Sequence, residues 1–401
     1  MKMKNSNRNN AKFLPENLKT LIILFTAVFL SFTGASLVVP LLPAYAHKLG
    51  VSGLGIGLII AALPLSNTIT ILSTSSVSDK KGRKPFIVAG LFIYGFAAFG
   101  FAFFQIVLVF ILLRLIQGIA AAIMIPNSHA YIAELIPKGK ESLIMGILNA
   151  VSVFGYGAGP IMGGIIADKS GMNMAFICTG TMVLAGAFLT LFGLPPVNKE
   201  KRSKENSDSS TNDLWKKIIK DKETAGIIFV ILVVEFCIVA IWTVLPILAD
   251  TVFQVSVKHI GLLVSAAVLM NGIVSVPAGW LGDRFSKKKM IICGGLLMAL
   301  SVSFMEHAGS YSIMLAANVL LGISQGIVLP CVRALAVSKG NQTKAMTSVM
   351  GALTIGQYIG MMLGALIAGT MMDIWGTNYI FYVCAALTLV ATLFFANSQR
   401  K

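Results

Sequence analysis

The chain has 401 residues, of which 56% are hydrophobic and 12% are charged, and its formal net charge is +16. A soluble domain carries about 25% charged residues, so this composition excludes an ordinary water-soluble protein. The basic excess does not indicate nucleic-acid binding, because lysines and arginines lie between apolar runs as the positive-inside rule predicts.

Apolar runs of about 20 residues, the length that a helix needs to cross a bilayer, recur along the whole chain. Such runs are too long and continuous for barrel strands, so the sequence predicts an all-α membrane protein with twelve transmembrane helices. The predicted spans are residues 20–45, 54–76, 85–104, 106–134, 142–167, 174–194, 224–251, 259–281, 289–307, 311–338, 344–371 and 376–396. Their even number places both termini on one side of the membrane.

Basic residues are divided very unevenly between the two faces of this predicted bundle. Of the 32 lysines and arginines, 28 fall on the face that holds both termini, and only Lys48, Lys169 and Lys258 fall on the opposite face. The remaining one, Arg114, lies inside a span. Because basic loops are retained in the cytoplasm, we expect a multi-pass protein of the cell membrane with both termini cytoplasmic.

A polar linker and a long-range repeat divide the chain. The linker, residues 195–223, separates an N-terminal half over 1–194 from a C-terminal half over 224–401. Glycines of the fifth span recur 201 residues later in the eleventh, and Asp79 recurs 204 residues later as Asp283. We therefore predict two pseudo-symmetric six-helix bundles in the same orientation, with a midplane binding site between them.

The loop after the second span carries the first specific pattern, Asp79-Lys-Lys-Gly82-Arg83-Lys84. Five charges in six residues set the ends of two spans. Asp79 can also accept hydrogen bonds from helix N-terminal amides, and Arg83 can pair with a carboxylate. The second copy around Asp283 keeps the charge but lacks the Gly-Arg pair.

The fourth and fifth spans carry two further patterns. Arg114 is followed by Gln117 and Gly118, and an arginine in a bilayer must face a polar cavity, a partner or backbone carbonyls. In the fifth span, small residues every four positions allow close helix contact, and proline bends the helix. This pattern is formed by Gly155, Gly159, Pro160, Gly163 and Gly164.

With these stretches the chain resembles the major facilitator superfamily, and within it the twelve-span drug:proton antiporters. The resemblance implies that Asp79, Gly82, Arg83 and Lys84 form a gating latch, with Glu134 as the partner of Arg83. It implies a part in proton transfer for Arg114, and it makes the Gly-Pro motif of the fifth span a mark of export. It also implies a cavity lined by spans 1, 4, 7 and 10.

Proton coupling needs a protonatable group inside the membrane. Glu235 is the only carboxylate well inside an apolar run, which makes it the favoured coupling acid, with Glu134 and His129 as alternatives. Acidic residues near the opposite face are expected to be solvated: Asp168, Asp250, Glu306 and Asp373. Polar residues expected to line the substrate cavity are Asn127, Gln117 and Gln325, followed by Asn318 and Arg333.

These residues favour a proton-driven exporter of small amphiphilic molecules that works by alternating access. A lipid or glycolipid flippase, a sugar or metabolite exporter, and a non-transporting receptor or scaffold are the alternatives. The sequence has no nucleotide-binding phosphate loop, no metal-spaced cluster and no nucleophile triad. We therefore expect no enzyme activity and no cofactor, and a monomer whose partners are substrate, protons and lipid.

The latch hypothesis predicts an order of effects. Asp79→Asn should impair transport more than Asp283→Asn at equal expression, because only the first copy carries the Gly-Arg pair. Transport assays on matched membranes measure this order, and the reverse order would count against the latch.

Overall fold

A computed structural model describes residues 15–135, 141–195, 221–343 and 346–398, and all regular structure in those ranges is helical. Twelve segments are long and apolar enough to cross a membrane, which confirms the predicted fold class. Span 1 comprises the helices Pro15–Leu37 and Leu42–Lys48, and spans 2 to 12 are Gly53–Lys81, Lys84–Phe103, Val107–Leu135, Glu141–Ser170, Met172–Gly193, Lys222–Thr251, Val257–Arg284, Lys287–Glu306, Tyr311–Thr343, Met346–Trp375 and Tyr379–Ser398. Most of the predicted linker, 196–220, lies outside the described residues.

Two spans depart from their predicted form. Span 1 is interrupted between Leu37 and Leu42, where Pro40 has no backbone N–H to continue the helix. Span 2 continues through the charged stretch to Lys81, so only Gly82 and Arg83 separate it from span 3. Gly82 has a φ of +97°, a left-handed conformation that glycine adopts without strain.

The two halves repeat the same helix packing. In the N-terminal half, span 1 packs against spans 5 and 6, span 2 against span 4, and span 3 against spans 4 and 6. In the C-terminal half, span 7 packs against spans 11 and 12, span 8 against span 10, and span 9 against spans 10 and 12. Each of these pairs in the N-terminal half thus has its counterpart six spans later.

The halves meet along two seams, spans 2 with 11 and spans 5 with 8. We call the face where span 1 begins and span 12 ends the terminal face. Near the opposite face the seams are so tight that a methyl group on Gly57 would meet the backbone of Ala365, and one on Gly261 would meet that of Pro160. Towards the terminal face, Gly146 of span 5 and Gly279 of span 8 would meet nothing within 4 Å. The halves therefore close at the opposite face and separate towards the terminal face.

The acids near the opposite face are not simply solvated, contrary to expectation. Asp250, at the end of span 7, pairs with Lys48 of span 1 at 2.8 Å. Asp168 and Asp373 are exposed, yet each accepts hydrogen bonds from the backbone of the other half. The sequence could not show these contacts because the partners lie far away along the chain.

At the terminal face, one lysine joins the start of one span to the end of another within the C-terminal half. Lys339, near the end of span 10, bonds Glu223 and lies 3.2 Å from Asp221 at the start of span 7. Burial alone would raise the pKa of Asp221. Hydrogen bonds from Thr224 and Lys339 lower that pKa by more than burial raises it, so the net pKa lies below the usual value.

This cluster predicts a pH-dependent stability. A carboxylate with a lowered pKa stabilises the fold above its unfolded pKa, and that stabilisation is lost as the pH falls through the folded value. Lys339→Met should therefore lower stability at neutral pH by at most about 1 kcal/mol, since the cluster is partly solvated. The difference in Tm between parent and variant should begin to shrink below about pH 4, the ordinary aspartate range, and should be lost as the pH falls through the lowered pKa of Asp221.

The exposed Lys169 provides the control, because it lies at the other face. A Tm difference for Lys339→Met that persists unchanged in acid, or an equal loss in Lys169→Met, would contradict this assignment.

Candidate functional site

A cavity of about 570 Å³ lies between the two halves. It is walled by residues of spans 1 to 5, 7, 8, 10 and 11, a wider set than the four spans implied by the family resemblance. Most of the wall is apolar or aromatic. The polar and charged side chains that line it are Arg114, Asn149, Ser152, Glu235, Thr243, Asn271, Ser275, Gln325, Arg333 and Gln357.

Glu235 supplies the only carboxylate of this wall. It lies near the middle of span 7, is 7% exposed and, with Arg114, is one of the two charged residues that are buried within the described ranges. Arg333 of span 10 is exposed in the same cavity and lies within electrostatic range of Glu235. The acid and this arginine therefore both line the cavity from the C-terminal half.

Arg114 lines the same cavity from the N-terminal half and is 4% exposed. Its Nη1 donates to Gln117 Oε1 at 3.4 Å, and its guanidinium carbon lies 5.8 Å from the centre of the Phe101 ring. Its Nε has no hydrogen-bond partner among the described residues. The guanidinium thus contacts the Gln117 amide and the Phe101 ring, and its Nε–H remains without an acceptor among the described residues.

Tyr156 of span 5 is a third neighbour of the two buried charges. It lines the cavity, its ring centre is 6.0 Å from that of Phe32, and it is in electrostatic range of both Arg114 and Glu235. No role was predicted for it from the sequence, although it stands inside the Gly-Pro motif. The sequence feature that could have identified it is a tyrosine among glycines, on a span that packs against the other half.

The Gly-Pro motif presents two faces of span 5. Gly155, Gly159 and Gly163 lie against span 1, where added methyl groups would meet the backbone of Phe29, Thr33 and Leu37. The other face lies across the seam: Pro160 and Gly164 pack against the beginning of span 8. The same helix therefore seals its own half and touches the other one.

The amides expected in the cavity divide into two groups. Gln325 lines it, whereas Gln117 and Asn127 are not part of the described wall. Gln117 faces Arg114, and Asn127 donates from Nδ2 to Ile123 O at 2.7 Å within its own helix. Asn318 is also turned away and bonds the carbonyl of Leu263.

The alternative proton carriers are not in the described wall either. His129 lies beside a small apolar pocket within the N-terminal half, of about 30 Å³. The side chain of Glu134 lies outside the described residues, although its backbone is in the last turn of span 4.

The latch residues are described in part. The backbone of Asp79 lies in the last turn of span 2, but its side chain and that of Asp283 lie outside the described residues. Lys84 Nζ donates to Leu194 O at 2.5 Å and ties the start of span 3 to the end of span 6. Whether the loop also acts as a latch stays a prediction.

A family model and individual relatives both match this chain over most of its length. A family model described as Major Facilitator Superfamily matches residues 24–256 and again 227–400. The chain is 28% identical over 375 residues to an uncharacterized MFS-type transporter of Methanocaldococcus jannaschii, covering 93% of this chain and 96% of the relative. It is 26% identical over 404 residues to the multidrug resistance protein MdtG of Escherichia coli, covering 96% and 95%.

Solved structures share the fold at low identity. A bacterial homolog of the human lysosomal transporter Spinster, inward-facing and occupied, aligns with a TM-score of 0.83 at 13% identity, covering 96% of this chain and 97% of that one. The nucleoside transporter NupG, in a mutant form, aligns with a TM-score of 0.80 at 16% identity, covering 95% and 100%.

The two faces of span 5 predict a position-dependent effect of added side-chain volume. Gly163→Val should destabilise the protein by about 1–3 kcal/mol, because its Cβ would meet the carbonyl oxygen of Leu37. Gly146→Val in the same helix should be nearly neutral, since nothing lies within 4 Å. Thermal unfolding of the purified variants measures the difference, and equal Tm values would contradict the packing described here.

Proposed function

The chain belongs to the Major Facilitator Superfamily and is a membrane transporter and not an enzyme; on that premise we propose that it exports small amphiphilic compounds in exchange for protons. The observation that carries this proposal is Glu235, a buried carboxylate in the wall of the central cavity. A carboxylate inside a membrane span is costly and is a functional-site hypothesis by default. No other acid of the described wall competes with it.

Exchange follows if proton and substrate favour opposite states of the bundle. With the seams closed at the opposite face, substrate enters the cavity from the terminal face and Glu235 releases its proton to that side. When the opposite face opens, substrate leaves and Glu235 is protonated from there. Each ligand can shift the equilibrium only by its differential affinity for the two states, so the carboxylate must be accessible from each side in turn.

Arg333 and Tyr156 give the acid neighbours in both halves. Arg333 favours the ionised carboxylate through its positive charge, and Tyr156 is in electrostatic range of both Glu235 and Arg114. A change in the charge of Glu235 therefore alters the electrostatic energy of groups in both halves. We infer that protonation of Glu235 shifts the equilibrium between open and closed seams through these interactions.

The lining favours amphiphilic cargo. Trp242, Phe32 and Tyr156 offer large apolar surfaces, and Gln325 and Arg333 offer isolated polar contacts. Pockets of this kind bind by apolar contact and use a few polar groups for orientation. The relative from Escherichia coli is named a multidrug resistance protein, which agrees with such cargo. Export rather than uptake rests on the resemblance of the motif over residues 155–164 to the family's exporter motif.

The proposal predicts a specific loss in Glu235→Gln. In proteoliposomes with an imposed pH gradient, this variant should lose gradient-driven transport of fluorescent amphiphilic dyes by at least about tenfold, the scale of a lost charge interaction. It should retain dye–dye exchange, because the cavity keeps its shape. Parallel recording of internal pH measures the linked proton flux.

Glu223→Gln is the matched control, since Glu223 lies on the same helix but bonds Lys339 at the terminal face. It should stay within about twofold of the parent, as expected for a partly solvated ion pair. If Glu235→Gln keeps gradient-driven transport and Glu134→Gln abolishes it, Glu134 is the coupling acid.

A further inference from the structure

At the opposite face, each half places a carboxylate on the first backbone N–H groups of a helix in the other half. Asp373, near the end of span 11, accepts from Gly53 N at 2.6 Å and from Leu54 N at 2.8 Å with its two oxygens. Asp168, near the end of span 5, accepts from Val257 N at 3.0 Å. Spans 2 and 8, which begin at Gly53 and Val257, are counterparts in the repeat.

These contacts satisfy groups that the helices cannot satisfy alone. The first N–H groups of a helix have no intrahelical acceptor, and they carry partial positive charge that favours a carboxylate. Ser256 stands at the capping position of span 8 but makes no side-chain cap; its hydroxyl lies 3.0 Å from His259 Nδ1 instead. Asp168 therefore supplies the cap from the other half.

The caps exist only while the opposite face is closed. Close backbone approach brings each acid within reach: a methyl group on Gly369 would meet the backbone of Gly53, and one on Gly164 would meet that of Val257. Because acid and helix start belong to different halves, any separation at this face breaks both caps and returns the N–H groups to water.

We propose that Asp168 and Asp373 form a paired interdomain cap that stabilises the state open to the terminal face, and that releasing it is part of opening the opposite face. The cap acts on the equilibrium between the two states and not on cargo. It is thus independent of what the cavity binds and of which acid carries the proton.

The two caps use different numbers of carboxylate oxygens, so substitutions should affect them differently. Asp168 uses one oxygen, which asparagine also provides, and asparagine is as good a helix cap as aspartate. Asp373 uses both oxygens, so asparagine keeps only one of its two bonds. Alanine removes every acceptor at either position. A cap predicts this graded order, whereas a purely electrostatic effect of the acids predicts equal losses for asparagine and alanine.

The experiment measures the opposite face directly. Spin labels on Gln105→Cys and Gly309→Cys, in the full chain with its native cysteines replaced, report the distance across this face by electron–electron double resonance. Both positions are exposed and belong to different halves. Asp168→Ala and Asp373→Ala should each raise the ratio of open to closed molecules by about two- to fivefold, as the loss of a helix cap does.

The remaining variants complete the test. The double alanine variant should raise the ratio by about four- to twenty-fivefold, as the free energies of independent sites add. Asp168→Asn should resemble the parent, and Asp373→Asn should fall between parent and alanine. Glu306→Ala is the matched control, because Glu306 lies near the same face but its partners Tyr382 and His307 are in its own half.

An unchanged distance distribution in both single alanine variants would overturn the proposal, as would an equal shift in Glu306→Ala. If the double variant does not fold, the pair Asp168→Ala and Asp168→Asn decides: equal shifts overturn the cap and unequal shifts in the stated order support it. The measurement needs neither substrate nor a proton gradient, so a failure of proton coupling would leave its outcome interpretable.

Discussion

Close approach of helix backbones is the constraint on which the rest of this structure depends. Lipid tails are as apolar as the side chains, so helices in a bilayer gain little from hydrophobic burial and associate through tight packing. Here the stripe Gly155, Gly159 and Gly163 brings span 5 onto span 1, and the corresponding stripe of span 11 lies on the backbone of span 7. The same geometry six spans apart gives the two halves a common construction.

The central cavity follows from where that close packing stops. The seams of spans 2 with 11 and 5 with 8 are tight near the opposite face and loosen towards the terminal face. The space that opens between them is the only place in the described bundle where Glu235 and Arg114 can face a common cavity. Since neither charge is tolerated against lipid, their presence ties the position of the cavity to the position of the seams.

The sequence predicted the features that local physics decides. Apolar length is readable residue by residue, so the twelve spans, their order and the repeat could be predicted. Glu235 was identifiable because an acid inside an apolar run has few explanations. Which way an amide faces was not predictable, because it depends on the rotation of a helix against its neighbours. Gln325 faces the cavity, while Gln117 turns to Arg114 and Asn127 bonds its own helix.

The prediction for the acids of the opposite face was incomplete for another reason. Asp168 and Asp373 stand at helix ends and are exposed, so solvation was the natural expectation. Their partners lie 89 and about 320 residues away along the chain, and those partners are backbone N–H groups with no residue-specific signal. A main-chain donor at the start of a distant helix leaves no trace in the amino-acid pattern, and only the assembled bundle identifies it.

The connection between spans 2 and 3 has a mechanical consequence. Only Gly82 and Arg83 lie between the helix that ends at Lys81 and the one that begins at Lys84, and three extended peptide steps reach about 11 Å at most. Span 2, which lines a seam, therefore cannot draw away from span 3, which is packed inside its half. This short connection therefore fixes the terminal-face end of the seam helix to the start of span 3, so the two ends cannot separate by more than that distance.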